Sequence, residues 1–187
     1  NITNLIEGNG YVSYDINKDL ILKSTAGIRH NKLTLERFYN SKTAQGGPSP
    51  NNVNGVNGSI DNIFSNSFSN ETTLNYKKTF KQDHTITGLG LFAINSINSN
   101  RKAYGGRLLP NENLGMDGLD EGLAYNQISN SSRNTMASYA GRLDYNYKSK
   151  YIVTGTFRAD GSSKFINHWG YFPGAALAWN MHKEGFF

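Results

Sequence analysis

A chain of 187 residues with 19 basic and 14 acidic side chains carries a net charge of +5 and is long enough for one ordinary domain. No run of about 18 apolar residues occurs, which excludes a membrane helix; a mean hydropathy of -0.56 does not exclude a membrane barrel, whose strands need only about 10 alternating residues each. Twenty glycines, eleven tyrosines and ten phenylalanines, with abundant Asn and Ser, describe a β-rich, loop-rich protein, and the lack of cysteine fits an envelope protein and chance alike.

The first predicted elements are strands at Gly10 to Tyr14 and Leu20 to Arg29, joined by a short turn within residues 15–19. Leu20, Leu22, Ala26 and Ile28 fall on one face and Lys23, Thr25 and Arg29 on the other, so the pair reads as a hairpin. The second strand continues through Leu33, Leu35 and Arg37 to Tyr39. From Asn40 to Ser59 the chain is nearly all Gly, Pro, Asn and Ser, and is expected to be a long, weakly ordered loop.

Thr72, Leu74, Tyr76 and Phe80 then alternate with Thr73, Asn75, Lys77 and Thr79, turn at residues 81–83, and return from His84 to Ile97. Ile86, Gly88, Gly90, Phe92 and Ile94 share one face of the returning strand. Leu89 and Leu91 on the other spoil a clean alternation, as a core or a plug contact would require. Asn98 to Arg133 is expected to be a second long loop.

The strongest period-two signal runs from Ser138 to Trp179. Tyr139, Leu143, Tyr145 and Tyr147 stand on one side of a strand and Arg142, Asp144 and Asn146 on the other; after a turn at residues 148–150, Tyr151, Val153 and Phe157 alternate with Thr154, Thr156 and Arg158. Tyrosines at strand ends suit a bilayer interface, and an apolar face opposite a charged one also suits a soluble sandwich, so both architectures stand at this point. Asp160, Gly161, Ser162, Ser163, Lys164 and Phe165 read as a tight turn, since Asp-Gly tolerates positive φ. Short connections at 15–19, 81–83 and 148–150 oppose long ones near 40–62, 99–133 and 160–168, the asymmetry of a bacterial outer-membrane barrel.

Chemistry-bearing patterns are few. Arg142, Asp144, Arg158 and Asp160 share the polar faces of neighbouring strands and are expected to pair across the hairpin, either as a structural network or as charges that guide a substrate. Asp144 and Asp160 sit too far apart for an acid/base pair. His30, His84, His168 and His182 lack partners at metal-ligand spacing, and no nucleophile, zinc or phosphate-loop motif has its structural context, so no catalytic residue, metal or cofactor is expected. Lys77, Lys78, Lys81, Lys148 and Lys150 gather at turn ends and not beside stacking aromatics, so nucleic acid is not the expected partner either.

The segment SYAGRLDYNYKSKYIVTGTFRADGSSKF followed by HWGYFPGAALAWNMHKE resembles the barrel of SusC/RagA-type TonB-dependent outer-membrane transporters. Ser138, Tyr139, Gly141, Arg142, Tyr145 and Tyr147 match one strand motif of that family. Phe157, Arg158, Asp160 to Ser163 and Phe165 match a second, and Trp169, Gly170, Phe172, Pro173 and Trp179 a third. Asp144, Ala140, Lys164 and His168 depart from the usual residues without breaking the pattern, and ETTLNYKKTFKQDHTITGLGLF from Glu71 to Phe92 extends the resemblance upstream.

The resemblance implies an all-β chain: about seven strands of an antiparallel up-and-down transmembrane β-barrel that in the family has roughly 22. Residues 1–187 would be part of the barrel domain, with plug, TonB box and remaining strands lying elsewhere in a longer polypeptide, and the absence of a signal peptide at NITNLIEGNG fits an internal segment. It implies the outer membrane of a Gram-negative bacterium, import of oligosaccharides or peptides, a SusD-like surface lipoprotein and TonB as partners, and lipid around the barrel. Tyr139, Tyr145, Tyr147, Tyr151 and Phe157 would then be lipid-interface aromatics, and Arg142, Asp144, Arg158 and Asp160 would face lumen or plug. Asn40 to Ser59 and Asn98 to Arg133 would be the loops that meet lipoprotein or substrate. The competing architecture is a secreted, soluble β-sandwich binding module, for carbohydrate among other ligands.

Overall fold

The computed structural model of the protein describes residues 1–186, so of the expected barrel segment only Phe187 lies outside the described residues. Seven strands form one antiparallel sheet in which every strand pairs with its neighbour in sequence: β1 (Ile2–Asn17), β2 (Leu20–Tyr39), β3 (Asn57–Phe80), β4 (His84–Arg107), β5 (Leu123–Tyr147), β6 (Tyr151–Ser162) and β7 (Trp169–Trp179). Short 3₁₀ turns, two of them within Glu112–Glu121 on either side of a kink at Gly115 and one at Met181–Lys183, complete the regular structure, and among the described residues no helix is long and apolar enough to cross a membrane. The up-and-down all-β expectation is met. The sandwich is not: among the described residues no second sheet faces the first, and no large side chain is fully buried.

Several expected boundaries shift, all towards longer strands. β1 starts at Ile2, β3 at Asn57, β4 runs on to Arg107 and β5 begins at Leu123, so the expected loop from Asn98 to Arg133 shrinks to residues 108–122. The Asp160 to Phe165 turn is also displaced: Asp160 pairs with Ser138 and Gly170, and Gly161 with Ala137 and Trp169, so both continue the ladder, and the connection occupies residues 163–168. Gly161 is needed there for room. A Cβ at Gly161 would lie 3.0 Å from three atoms of the Trp169 ring. Gly161→Ala is therefore expected to push Trp169 off its 5.8 Å contact with Tyr139, at a cost of about 1 kcal/mol, read as faster hydrogen exchange across residues 159–163.

Two of the short turns, at 81–83 and 148–150, use backbone chemistry rather than glycine. Lys81 and Gln82, and Lys148 and Ser149, all have positive φ, the paired left-handed conformation whose twist matches that of the flanking antiparallel strands.

The chain divides into two compact units. One comprises Asn1–Glu7, Arg29–Asn66 and Asn98–Arg133 and holds both longer connections. Ala103, Leu109 and Leu119 are buried in it, together with polar Asn57, Ser59 and Asp61. The segment Glu112–Glu121 approaches so closely that a Cβ at Gly58 would meet Leu119 at 2.7 Å and one at Gly106 would lie 2.2 Å from its carbonyl oxygen. Loop 40–56, expected to be weakly ordered, is held by its own amides. Asn52 donates to the carbonyls of Gln45 and Gly47, and Asn57 to those of Gln45 and Gly55. Polar side chains here replace the apolar burial that the composition lacks.

The other unit comprises Gly8–Ile28, Ser67–Ile97 and the chain from Asn134 onward. Among its described residues only Ser138, Ala159 and Gly161 are buried, while Leu143 is 58%, Val153 48%, Phe157 50% and Leu177 82% exposed. A sheet with its large apolar side chains on the surface is stable in water only if something else covers them.

Candidate functional site

In β5, β6 and β7 the pairing register fixes which side chains share a face. Tyr147, Tyr151 and Trp179 align, as do Leu143, Gly155 and Ala175, and Tyr139, Ala159 and Tyr171. Strand pleating puts this odd-numbered set on one side of the sheet and Arg142, Asp144, Thr154, Thr156, Arg158 and Asp160 on the other.

On the first side the aromatics form two rows. Near the short turns, His84 lies 4.9 Å from Tyr147, Tyr147 stacks on Tyr151 at 6.5 Å and Tyr151 on Trp179 at 6.4 Å. A 2.6 Å hydrogen bond joins the His84 ring to the Tyr145 hydroxyl. At the other end, Phe92 meets Tyr139 at 5.1 Å, Tyr139 meets Trp169 at 5.8 Å, and Phe157 stacks on Tyr171 at 6.2 Å. Leu143, Val153, Gly155, Ala175 and Leu177 fill the space between. β7 advances ten residues from Trp169 to Trp179. At about 3.3 Å per residue that is ~33 Å along the strand, and a tilt of about 40° reduces it to ~25 Å, the height of the apolar band of an outer-membrane barrel between its aromatic girdles. The expected interface residues Tyr139, Tyr145, Tyr147, Tyr151 and Phe157 thus all lie on one face, which Gly88 and Phe92 extend into β4.

The second side is polar, but its charges do not pair across the hairpin as expected. The Arg142 Nε donates to Asp144 at 2.8 Å and the Arg158 Nε to Asp160 at 2.7 Å, each along its own strand. The register explains the difference: Arg142 stands opposite Thr156, Arg158 opposite Ala140 and Asp160 opposite Ser138, so the nearest carboxylate is two residues on in the same strand. Asp144 also accepts from the Thr154 hydroxyl across the hairpin at 2.5 Å. Both arginines are more than half exposed, so these pairs order the row and add little stability. Asp144 lies opposite Thr154, six residues short of Asp160, a separation of ~20 Å that rules out joint acid/base chemistry.

In the loop-bearing unit two polar contacts escaped the sequence, because their partners lie far apart along the chain. Arg101 grips Asp61 through Nε and Nη2 at 2.5–3.1 Å, with the Asp61 side chain 6% exposed and Arg101 48%. Loop 40–56 is clasped to the 3₁₀ segment by Glu112, which accepts from the Ser41 backbone N–H at 2.8 Å and from its hydroxyl at 3.1 Å. That backbone bond, then the hydroxyl, and more weakly the charge of Lys42 hold the Glu112 carboxyl below its usual range. The clasp is accordingly at full strength above the ordinary glutamate pKa and weakens as pH falls through the lowered one. Acidification is expected to speed hydrogen exchange at Ser41 and Lys42, and Glu112→Gln to abolish that pH dependence.

Among the described residues no three His, Asp or Glu side chains gather into a metal-ligand set.

No family model matches the chain. The TonB-dependent receptor P39 of Formosa agariphila is 31% identical to it over 202 residues, covering 94% of this chain and 17% of the receptor. The TonB-dependent receptor SusC of Bacteroides thetaiotaomicron is 47% identical over 62 residues, 32% of this chain and 6% of SusC. In fold the chain is similar to the RagAB peptide transporter, with a TM-score of 0.79 at 17% identity over 97% of this chain and 20% of that one. The chain spans under a fifth of the length of the curated relatives it matches.

Proposed function

The chain is similar over most of its length to TonB-dependent receptors and over about a third of it to SusC, and from that kinship we propose that it forms part of the wall of an active importer in the outer membrane of a Gram-negative bacterium. Residues 1–187 are a partial barrel domain, and other parts of a longer polypeptide supply the plug, the TonB box and the strands that close a barrel of roughly 22. The single observation that carries this reading is the two-sided sheet: an exposed apolar band ~25 Å tall between two aromatic rows, backed by a polar face. Such a band suits hydrocarbon in height and chemistry.

In this reading the face with Tyr139, Tyr145, Tyr147, Tyr151 and Phe157 meets lipid, and the row Arg142, Asp144, Arg158 and Asp160 faces lumen or plug. Loops 40–56 and 108–122 lie on the outer side, where a SusD-like lipoprotein closes over the barrel, and TonB supplies energy through the plug from the other side. The cargo is an oligosaccharide or a peptide, as the resemblance of the barrel motifs implies; the likeness to a transporter named for peptides is one of fold.

The test is uptake by cells carrying the full-length transporter. Deleting either loop is expected to abolish lipoprotein co-purification and growth on the transported nutrient while leaving the barrel in the outer membrane. Unchanged association and growth would overturn the placement of the loops, and recovery of the full-length protein from the soluble fraction would overturn the reading itself.

A further inference from the structure

The turn-bearing end of the unit formed by Gly8–Ile28, Ser67–Ile97 and the chain from Asn134 onward is cationic. Lys18, Lys78, Lys81, Lys148, Lys150 and Lys183 gather there against Asp15, Asp19, Asp83 and Glu184. The acids are placed with a regularity that isolates the surplus. Asp19 takes Lys78 at 3.7 Å, Asp83 takes Lys148 at 3.7 Å and Glu184 takes Lys150 at 3.0 Å, each bridge joining one turn or strand end to the next. Backbone bonds reinforce all three junctions, from Lys77 to Asp19, Lys148 to Asp83 and Asn180 to Lys150. Glu184 accepts in addition from the Tyr151 hydroxyl and the Trp179 ring nitrogen.

With Asp19, Asp83 and Glu184 engaged, Lys18, Lys81 and Lys183 are exposed and have no acidic partner among the described residues. The charge also sits at a particular level. Lys78 Nζ lies 5.3 Å over the Phe80 ring and Lys148 Nζ 5.4 Å over the ring of Tyr147 in the turn-side row, so two ammonium groups rest on aromatics at this end, and the unpaired lysines begin within a few residues of them. In a bilayer an aromatic row lies at the level of the headgroups, where the phosphates are.

We infer that this end is a binding surface for the phosphate headgroups of anionic lipids in the leaflet that faces the short turns. The inference rests on the membrane reading above and deepens it. Primary ammonium groups on flexible stems suit a phosphodiester as point-charge partners, and the three bridges hold the turns together so that the free lysines present a common rim. Hydrophobic capture alone would not distinguish one headgroup from another; a surplus of unpaired lysines does.

The experiment uses the full-length transporter in nanodiscs of phosphatidylcholine containing a minor fraction of phosphatidylglycerol, with co-purifying lipid counted by native mass spectrometry after transfer to mild detergent. Wild type is expected to retain phosphatidylglycerol over phosphatidylcholine. The K18Q/K81Q/K183Q variant, altered only at exposed, unpaired positions, is expected to lose that preference by about fivefold per lysine, on the order of 100-fold in all. Equal retention of the two lipids by wild type, or an unchanged preference in the variant, would overturn the inference while leaving the membrane reading intact. Inorganic phosphate displacing phosphatidylglycerol at low millimolar concentration would also overturn it, by showing a site for the free ion. Failure of the protein to enter any bilayer would overturn both.

Discussion

Leu143→Arg in the full-length transporter is expected to cost about 2–4 kcal/mol and to deplete the folded protein from the outer membrane. Leu143 is level with Gly155 and Ala175, midway between the aromatic rows, and it is 58% exposed. On a water-facing surface a substitution at such a position stays within about 0.5 kcal/mol, because the guanidinium is solvated at no cost. At the middle of a bilayer the same group must drag water or headgroups towards itself or leave the hydrocarbon. Thr156→Lys, at the same height on the opposite face, serves as the control and is expected to leave insertion unchanged. The comparison, measured as the free energy of folding into lipid vesicles, separates an effect of side from an effect of charge.

The second large effect is an asymmetry. Asp61 and Arg101 form one bridge, but Asp61 is buried and Arg101 is half exposed. Arg101→Ala leaves a buried carboxylate without its bidentate partner, a loss of about 3–5 kcal/mol for a buried charge, tempered here by nearby Arg37. Asp61→Ala frees a guanidinium that turns to water, and the expected loss is about 1–2 kcal/mol. Hydrogen exchange of residues 57–66 and 98–107 gives the local opening free energy for each variant. The double variant is expected to be more stable than Arg101→Ala alone, since removing the acid also removes the stranded charge.

The parts of the fold legible in the sequence are those where the two faces meet different surroundings. Tyr139 to Tyr147 and Tyr151 to Phe157 alternate because one face carries the apolar band and the other carries Arg142, Asp144 and Arg158. Residues 60–70, 98–107 and 123–135 are strand as well, yet they lack a sustained apolar alternation, and without that period a strand rich in Asn and Ser reads as a loop. Asp160 and Gly161 misled for another reason. The dipeptide suits a turn, but pairing on both sides and the space that Trp169 needs keep both residues in the ladder. The charge row was visible by position but not by partner, because a two-residue spacing and a cross-strand register compete, and only the register decides. The Asp61–Arg101 and Ser41–Glu112 contacts join positions 40 and 71 residues apart, a distance over which no local pattern speaks.

Site-directed spin labels placed one at a time at positions 141 to 147 and 151 to 157 of the full-length transporter in lipid vesicles report whether each side chain meets hydrocarbon or water, through collision with dissolved oxygen or with a water-soluble nickel chelate. Oxygen contact is expected to peak at 143, 145, 153 and 157, and to alternate with low oxygen and higher nickel contact at 142, 144, 154 and 156. Labels at 145, 153 and 157 shielded from both reagents, or open to nickel at every position, would contradict a sheet that carries lipid on one side and a polar interior on the other.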